Sequence, residues 1–456
     1  MSDIHSDALV FFGATGDLAY KKIFPSLQAM AKRGELDVPV IGVAKAGWTL
    51  DQLRARAQHS VESYGGLDRN AFGKLAGLLR YVDGDYKDPA TFAAIRDSLG
   101  AAQHPAHYLA IPPSLFGLVV EQLAQSGCAK GSRVIVEKPF GQDLASSRDL
   151  NRILLGVFVE RDIFRIDHYL GKRAVHNMVF ARFTNPIFEA FWTRAHVESV
   201  QITMAEDFGI QGRGAFYDAT GAIRDVVQNH LFQVLSNLAM EPPARLDSES
   251  LRDEKVKVLK SIPALEATDV VRGQFRGYRE EPGVAADSQV ETFAAVRLRI
   301  DSWRWQGVPF YIRAGKCLPV TATEVVVRLR RPPTVFPTAR SMPNYFRFRI
   351  LPRLTIAFGV TAMDEADQMV GQRAELVASR QPGADERAAY ERVLTDALAG
   401  DAALFARMDY VEEAWRIVDP VLKMNAPVRE YEPGTWGPPD CAGDIAPPGG
   451  WANPTA

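Results

Sequence analysis

The chain has 456 residues, of which 47% are apolar and 24% charged, and its formal net charge is −2. That length exceeds what one hydrophobic core usually organises, so two domains are expected, and the composition excludes extensive disorder. Near-neutrality excludes the basic excess that nucleic-acid binding needs, so any anion-binding surface must be local.

The opening MSDIHSDALVFFG lacks a basic segment followed by an apolar one, and no run of about eighteen apolar residues occurs anywhere. Cys128, Cys317 and Cys441 are few, odd in number and not in a metal-ligand spacing. Together these features lead us to expect a cytoplasmic protein with no disulfide framework, no structural metal and no membrane partner.

In chain order, ALVFF from Ala8 is a continuous apolar run, Gly13 to Asp17 is a turn, and AYKKIFPSLQAMAKRG has a helical pattern. VPVIGVA from Val38 gives a second strand, and a helix capped at Thr49 follows. AHYLAIP from Ala106 and SRVIVEKP from Ser132 are further strands, separated by the helical LFGLVVEQLAQSG. Strand–helix alternation of this kind predicts a parallel sheet with helices on both faces, an α/β Rossmann-type dinucleotide-binding domain over residues 1–167.

The remainder has a different texture. ESVQITMAED from Glu198, VETFAAVRLRI from Val290, PFYIRAG from Pro309, TEVVVRLRR from Thr323, and FRFRILP with RLTIAFGV between Phe346 and Val360 all have strand composition. Strands in succession with few helices between them predict an α+β domain with a large, mainly antiparallel sheet over 168–456. Helices are expected at Glu386–Ala399 and Tyr410–Met424. The Gly- and Pro-rich tail after Glu432 is expected to run extended over the surface.

The first chemical signal is Gly13-Ala14-Thr15-Gly16-Asp17-Leu18 between a strand and a helix. Two glycines let the backbone turn tightly and approach a pyrophosphate, and the helix start supplies N–H groups. It is not the full G-x-G-x-x-G fingerprint, and a ligand-free turn would have similar letters. The second strand ends Val43-Ala44-Lys45 with no carboxylate beside it in sequence. A lysine there can neutralise a 2′-phosphate, which favours NADP while leaving NAD open as a second cofactor; a solvated lysine is the plainer reading.

Lys138, in Glu137-Lys138-Pro139, follows an apolar run and so lies at a strand's C-terminal end, where ligands gather in parallel sheets. In Arg165-Ile-Asp-His-Tyr-Leu-Gly-Lys172, a helix starting at His168 would bring Lys172 one turn on, beside Tyr169. Those groups suit a phosphate, although a charged surface turn has the same letters. His230 falls on the buried stripe of a helix marked by Ile223, Val227, Val234 and Leu238, where a histidine is more often a core residue than a base. Oxidising a carbinol carbon needs a base for the hydroxyl proton, and His230 with Asp167 as its partner carboxylate is the candidate pair.

The segments GATGDLAYKKIFPSL, VIVEKPFGQDLASS, FRIDHYLGKRAVHNM, FGIQGRGAFYDATGAIRDVVQNHLFQ and GVPFYIRAGK, in that order, closely resemble the glucose-6-phosphate dehydrogenase family, as does YEPGTWGP near the end. The resemblance implies that Gly13, Ala14, Thr15, Gly16, Asp17 and Leu18 form the cofactor loop, with Lys21, Lys45, Asp85, Tyr86 and Lys138 beside it. It implies that Lys138, His168, Tyr169, Lys172, Glu206, Asp225 and Lys316 bind glucose 6-phosphate, and that His230 with Asp167 carries the base chemistry.

Two positions depart from the family pattern. Lys45 stands where an arginine is common, which implies softer NADP selectivity. Thr321 stands where a second basic substrate residue is common, which implies weaker sugar-phosphate binding. The resemblance further implies a homodimer, or a dimer of dimers, associating through the second domain's sheet. Two rivals stay open on sequence: an NAD-linked sugar or cyclitol dehydrogenase of the wider two-domain group, and a silent NADPH-sensing paralogue.

Overall fold

The computed structural model describes residues 4–333, 335, 342–363, 370–379, 383, 386–424, 427–439, 441 and 445–455. In chain order its first elements are β1 (Ala8–Phe12), α1 (Phe24–Arg33), β2 (Val40–Ala44), α2 (Leu50–Tyr64), α3 (Arg69–Leu78), β3 (Leu79–Asp83), α4 (Pro89–Leu99), β4 (Pro105–Leu109), α5 (Phe116–Gln125), β5 (Arg133–Val136), α6 (Leu144–Leu155) and β6 (Ile163–Ile166). Then come α7 (Arg173–Thr184), α8 (Pro186–Phe191), β7 (Val197–Ala205), α9 (Gly214–Ala222), α10 (Phe232–Ala239), α11 (Ser248–Lys260), β8 (Val270–Phe275), β9 (Phe293–Arg299), β10 (Pro309–Gly315), β11 (Ala322–Leu329), β12 (Tyr345–Leu351), β13 (Thr355–Met363) and β14 (Gly371–Ser379). The chain ends through α12 (Ala389–Ala399), β15 (Phe405–Ala406), α13 (Met408–Lys423) and β16 (Arg429–Tyr431). No helix among the described residues is long and apolar enough to cross a membrane.

Contacts divide the chain into a first unit, Met1–Lys172 with Ala244–Arg252 and Asp385–Glu412, and a second, Arg173–Pro243 with Asp253–Ala384 and Glu413–Ala456. The boundary expected after residue 167 therefore falls at Lys172, and the contiguous 168–456 domain expected from sequence is interrupted twice. The physical reason is that the first sheet's outer strand needs a cover: β15 pairs antiparallel with β6 (Phe405 opposite Ile166). On the way there, α12 buries Val393, Leu394, Ala397 and Leu398 in the core that holds Leu9, Phe11, Phe24 and Leu27.

The first unit's sheet has the order β15-β6-β5-β4-β1-β2-β3, parallel except for β15. β1, β2 and β4 are buried along their whole length, which is why β1 and β2 read as apolar runs; β4 carries one buried polar residue, His107, whose Nε2 is bonded to the Cys128 carbonyl (2.9 Å). The order reverses between β1 and β4, so the crevice at their C-terminal ends is the switch point where such sheets take ligands. The helical run after the glycine loop passes through a wide i→i+5 turn at Ala19–Ile23 before continuing as α1. Pro25 explains the widening, because its missing N–H and bulky ring do not fit a regular α-turn. The run stops at Gly34, which takes the left-handed conformation (φ 75°). α2 starts at the expected cap, with Thr49 and Gln52 bonded reciprocally.

The second unit's sheet has the order β14-β13-β12-β11-β7-β10-β9-β8-β16. It is mainly antiparallel, as expected, with β7–β10 and β8–β16 the two parallel pairs. β14 gave no sequence signal because it is exposed on both faces and carries Arg373 and Glu375 in place of an apolar alternation.

The tail after Glu432 is not a surface strap. Ile445 and Cys441 are buried with Tyr431, Phe293 and Tyr311, and Trp436 and Trp451 pack on the same cluster. Both indoles flank the guanidinium of Arg313, at 4.4 and 4.6 Å, while Asn453 and Thr203 accept its hydrogen bonds (2.6 and 3.0 Å). Burial pushes that guanidinium down to about 9, so the tail is what makes an arginine tolerable inside the sheet. Trp451→Ala is expected to lower the urea midpoint, at a cost of about 2–3 kcal/mol, by uncovering Arg313. An unchanged midpoint would show the tail to be passive.

Candidate active site

β1 delivers Gly13 to the switch point with φ +84°, and a Cβ added there would lie 2.2 Å from the carbonyl oxygen of Ala110, just past β4. Only glycine allows that approach. The Gly13 N–H donates to the Val43 carbonyl and to the Tyr86 hydroxyl, both at 2.9 Å, and Tyr86 in turn donates to Val43 (3.1 Å). Tyr86, expected beside the cofactor, therefore spends its hydroxyl on the backbone under the loop. Gly16 closes a turn onto Gly13 (2.9 Å), and the first-turn N–H groups that follow have no intrahelical acceptor. Lys21 pairs with Asp17 one turn back (2.9 Å). This cradle, which a single methyl group would fill, fits the pyrophosphate of a dinucleotide.

The end of β2 corrects the sequence reading. No carboxylate follows Lys45 in sequence, but β3 runs parallel beside β2, with Ala44 opposite Asp83, and supplies two. Asp83 accepts the N–H groups of Ala46 and Gly47 (3.0 and 2.8 Å), and Asp85 accepts from the Lys45 ammonium (2.8 Å). Next to this corner the Arg56 guanidinium lies 4.5 Å from the Tyr20 ring and 5.7 Å from the Trp48 ring, a cation–aromatic cluster that sequence reading missed.

Lys138 follows β5 through a cis peptide to Pro139. The preceding Glu137 is buried, and the hydroxyls of Tyr108 (2.5 Å) and Tyr390 donate to its carboxylate. Burial pushes this carboxyl up to about 7, against the pull of Tyr108, Lys138 and Tyr390. Tyr390 also lies nearly parallel to the His168 imidazole (13°, ring centres 6.1 Å apart).

His168 does not start a helix, contrary to expectation. His168–Gly171 is a turn closed by Gly171 N–H to His168 carbonyl (3.2 Å), and α7 begins only at Arg173. The turn admits only glycine at 171, where a Cβ would meet the Ala389 carbonyl at 2.6 Å. Lys172 nevertheless reaches Tyr169, with its ammonium 3.7 Å from the ring centre. Asp167 is buried and accepts the Tyr169 N–H (3.0 Å).

In the second unit, Glu206 and Lys316 directly follow the paired parallel strands β7 and β10, whose last residues Ala205 and Gly315 are in register. Their side chains form an ion pair, with the lysine 5.0 Å from the Phe208 ring centre. The backbone there is fixed by the Tyr431 hydroxyl, which donates to the Lys316 carbonyl (2.7 Å). Thr321 is bonded to Asp207 through both its hydroxyl and the Asp207 N–H (3.0 Å), so this position stabilises the loop after β7 and adds no charge.

Asp225 and His230 lie on Ile223–Leu231, a stretch of wide i→i+5 turns between α9 and α10, and His230 is buried there at 4% exposure. Gly221 breaks the helical path with φ +71°; a Cβ there would lie 2.6 Å from Glu291 Oε1. Glu291 accepts the Ile223 N–H (3.0 Å) and pairs with Arg272 (2.9 Å). This buried carboxylate, invisible in sequence, starts the segment that carries Asp225 and His230.

Comparison with known proteins gives two family models that together span most of the chain. The glucose-6-phosphate dehydrogenase NAD binding domain matches residues 10–177, and the glucose-6-phosphate dehydrogenase C-terminal domain matches 179–447. The chain belongs to the glucose-6-phosphate dehydrogenase family.

It is similar to glucose-6-phosphate 1-dehydrogenase 1 of Mycobacterium tuberculosis, 42% identical over 98% of this chain and 97% of that protein. It is 38% identical to the glucose-6-phosphate 1-dehydrogenase of Dickeya dadantii, covering 94% of each. Among solved structures, the Mycobacterium avium enzyme superposes with a TM-score of 0.92 at 44% identity, covering 99% of each chain. A glucose-6-phosphate dehydrogenase solved in complex with glucose-6-phosphate does so at 0.90 and 32% identity, covering 99% of this chain and 100% of that one. Membership displaces the cyclitol dehydrogenase alternative, and NADP is the family's cofactor.

Two outcomes follow from this geometry. Gly13→Ala is expected to weaken dinucleotide binding by at least roughly tenfold, read by fluorescence titration, because the new methyl must displace the Ala110 carbonyl. Wild-type affinity in that variant would show that the loop does not hold the cofactor.

The second outcome concerns Glu137. Its folded form favours the proton, so its contribution to stability is present below the ordinary value near 4.5 and lost as pH rises through about 7. Glu137→Gln is expected to match the wild type near pH 4.5 and to exceed it above pH 7 by on the order of 3 kcal/mol. Parallel stability profiles over that window would refute the assignment.

Proposed function

We propose that the chain oxidises D-glucose 6-phosphate at C1 to 6-phospho-D-glucono-1,5-lactone with NADP, the first step of the oxidative pentose phosphate pathway, with His230 as general base. The observation that carries this reading is the family match across residues 10–447, with His230 present on its buried wide-turn segment. Gly13, Ala14, Thr15, Gly16, Asp17, Leu18 and Lys21 hold the dinucleotide diphosphate, and Lys45 and Asp85 meet its adenosine end. When bound, NADP supplies the hydride acceptor.

The residues of the chain do the rest. His168, Tyr169 and Lys172 hold the sugar phosphate: an imidazole, a phenol and an ammonium supply donors to its oxygens. Glu206 and Asp225 are acceptors for sugar hydroxyls. Lys138 and Lys316 orient the ring by donating to its oxygens. His230 takes the C1 hydroxyl proton as the C1–H bond breaks, and Asp167 fixes the imidazole tautomer and stabilises the imidazolium formed. The proton and the hydride leave together, so the carbonyl forms without a metal.

A homodimer or dimer of dimers, acting in the cytoplasm, is part of the same proposal. Support for association through the second sheet comes from its outer strand β14, which presents Leu376 at 66% and Val377 at 53% exposure. Support for a reducing compartment comes from the thiols of Cys128 and Cys317, which form no disulfide.

The test is steady-state reduction of NADP and NAD with glucose 6-phosphate and with glucose, in wild type and His230→Asn. Turnover that requires the phosphate ester, and a kcat reduced about 10²–10⁴-fold in the variant with dinucleotide affinity kept, is the expected result. Undiminished kcat in His230→Asn would remove the base assignment. Dinucleotide binding without turnover in the wild type would instead favour the sensing paralogue.

A further inference from the structure

The corner beyond β2 and β3 holds both of the side-chain types that Rossmann units use, in separate enzymes, to distinguish the two nicotinamide dinucleotides. A carboxylate at this corner accepts the adenosine ribose hydroxyl of the unphosphorylated form, and a cation there neutralises the 2′-phosphate of the other. Here Lys45 and Asp85 stand together at 2.8 Å, with the lysine side chain 72% and the aspartate 39% exposed. Asp85 is fixed from its own side by the Lys87 N–H (2.9 Å) on Oδ1, which leaves Oδ2 for the lysine. The loop that carries Lys45 is pinned separately by Asp83, so Asp85 is not needed to hold that backbone.

We propose that Asp85 is a specificity-determining residue that competes with the 2′-phosphate for Lys45 and so sets the ratio of NADP to NAD use. This rests on the reading of the first unit as the cofactor-binding half. With the unphosphorylated dinucleotide, Lys45 keeps its partner and Asp85 offers its remaining acceptor capacity to the ribose hydroxyls. With the phosphorylated form, Lys45 must turn from Asp85 to the phosphate, and the carboxylate is left facing a dianion. Like charges at such a distance repel, and because both groups are exposed the competition is screened by salt. The expected result is a protein that binds both dinucleotides and prefers NADP only modestly, in spite of its lysine.

The experiment is fluorescence titration of NADPH and NADH into the full chain, as wild type, Asp85→Asn and Lys45→Ala, at low and high salt. A ratio taken within one variant cancels any general loss of fold. Asp85→Asn is expected to raise the NADPH-over-NADH preference roughly tenfold, tightening the first and weakening the second, with the larger change at low salt. Lys45→Ala is expected to move the ratio the other way.

A wild-type preference above roughly a thousandfold, or an Asp85→Asn ratio within about twofold of wild type, would overturn the proposal. Because the readout is binding, a failure to oxidise glucose 6-phosphate leaves this result intact and strikes only the proposed reaction. Loss of affinity for both dinucleotides in the wild type would overturn the cofactor-half reading and this inference together.

Discussion

The first unit depends on one close approach, the Gly13 backbone against the Ala110 carbonyl at the point where the strand order reverses. A sheet that switches direction between β1 and β4 leaves a crevice there, but the crevice holds a diphosphate only if the loop over β1 lies flat in it. Gly13 permits that by adopting φ +84°, and the Tyr86 hydroxyl and the Val43 carbonyl lock the loop from beneath. The packing behind follows from the same constraint. Gly42 of β2 has no room for a Cβ either, because Ala14 would lie 2.9 Å and Leu53 3.0 Å from it. The glycine loop, β2 and α2 are therefore a single fitted surface, and the positions of Lys45 and Thr49 at its rim are consequences of it.

In the second unit the comparable constraint is electrostatic. Glu291 is 2% exposed, and a carboxylate so placed needs partners. It has Arg272 on one oxygen and the Ile223 N–H on the other. The second bond starts the wide-turn segment bearing Asp225 and His230, and the space occupied by Glu291 is what forces glycine at 221. Wide i→i+5 turns place more residues per turn than an α-helix does, so they alter which side chains share a face. A reading at 3.6 residues per turn correctly found His230 buried with Val227, Val234 and Leu238, yet could not give its direction.

That difference marks what the sequence makes legible. Contiguous signals survive: apolar runs gave β1, β2, β4 and β5 of the first sheet, Thr49 gave a cap, and Gly13-Ala-Thr-Gly16 gave the turn. Signals assembled from distant residues do not. The carboxylates at the end of β2 arrive from β3 through strand register, so a search downstream of Lys45 meets none. Tyr390 reaches Glu137 from more than 250 positions away, and the Ala389 carbonyl that leaves no room for a side chain at Gly171 travels with it. The tail misled for a related reason: its Gly and Pro content describes its backbone, while Trp436, Cys441, Ile445 and Trp451 decide where it lies.

A nearly neutral chain that takes two polyanionic ligands must keep its cations local and restrained. Lys21, Lys45 and Lys316 each have a carboxylate of their own unit: Asp17, Asp85 and Glu206. The pairs differ in what they cost to disturb. Lys21–Asp17 and Lys45–Asp85 are exposed, so their attraction is screened by solvent and salt and an incoming phosphate can compete with the carboxylate for either lysine. Lys316 and Glu206 are 13% and 28% exposed at the ends of two paired strands, where breaking the contact leaves charges short of water. A ligand at that pair gains by bridging it, with hydroxyls that accept from the ammonium and donate to the carboxylate. A sugar ring has that alternation of donors and acceptors and a phosphate does not. The degree of burial thus separates two kinds of lysine: exposed pairs whose carboxylate an anion can displace, and a half-buried pair that favours a ligand carrying both donors and acceptors.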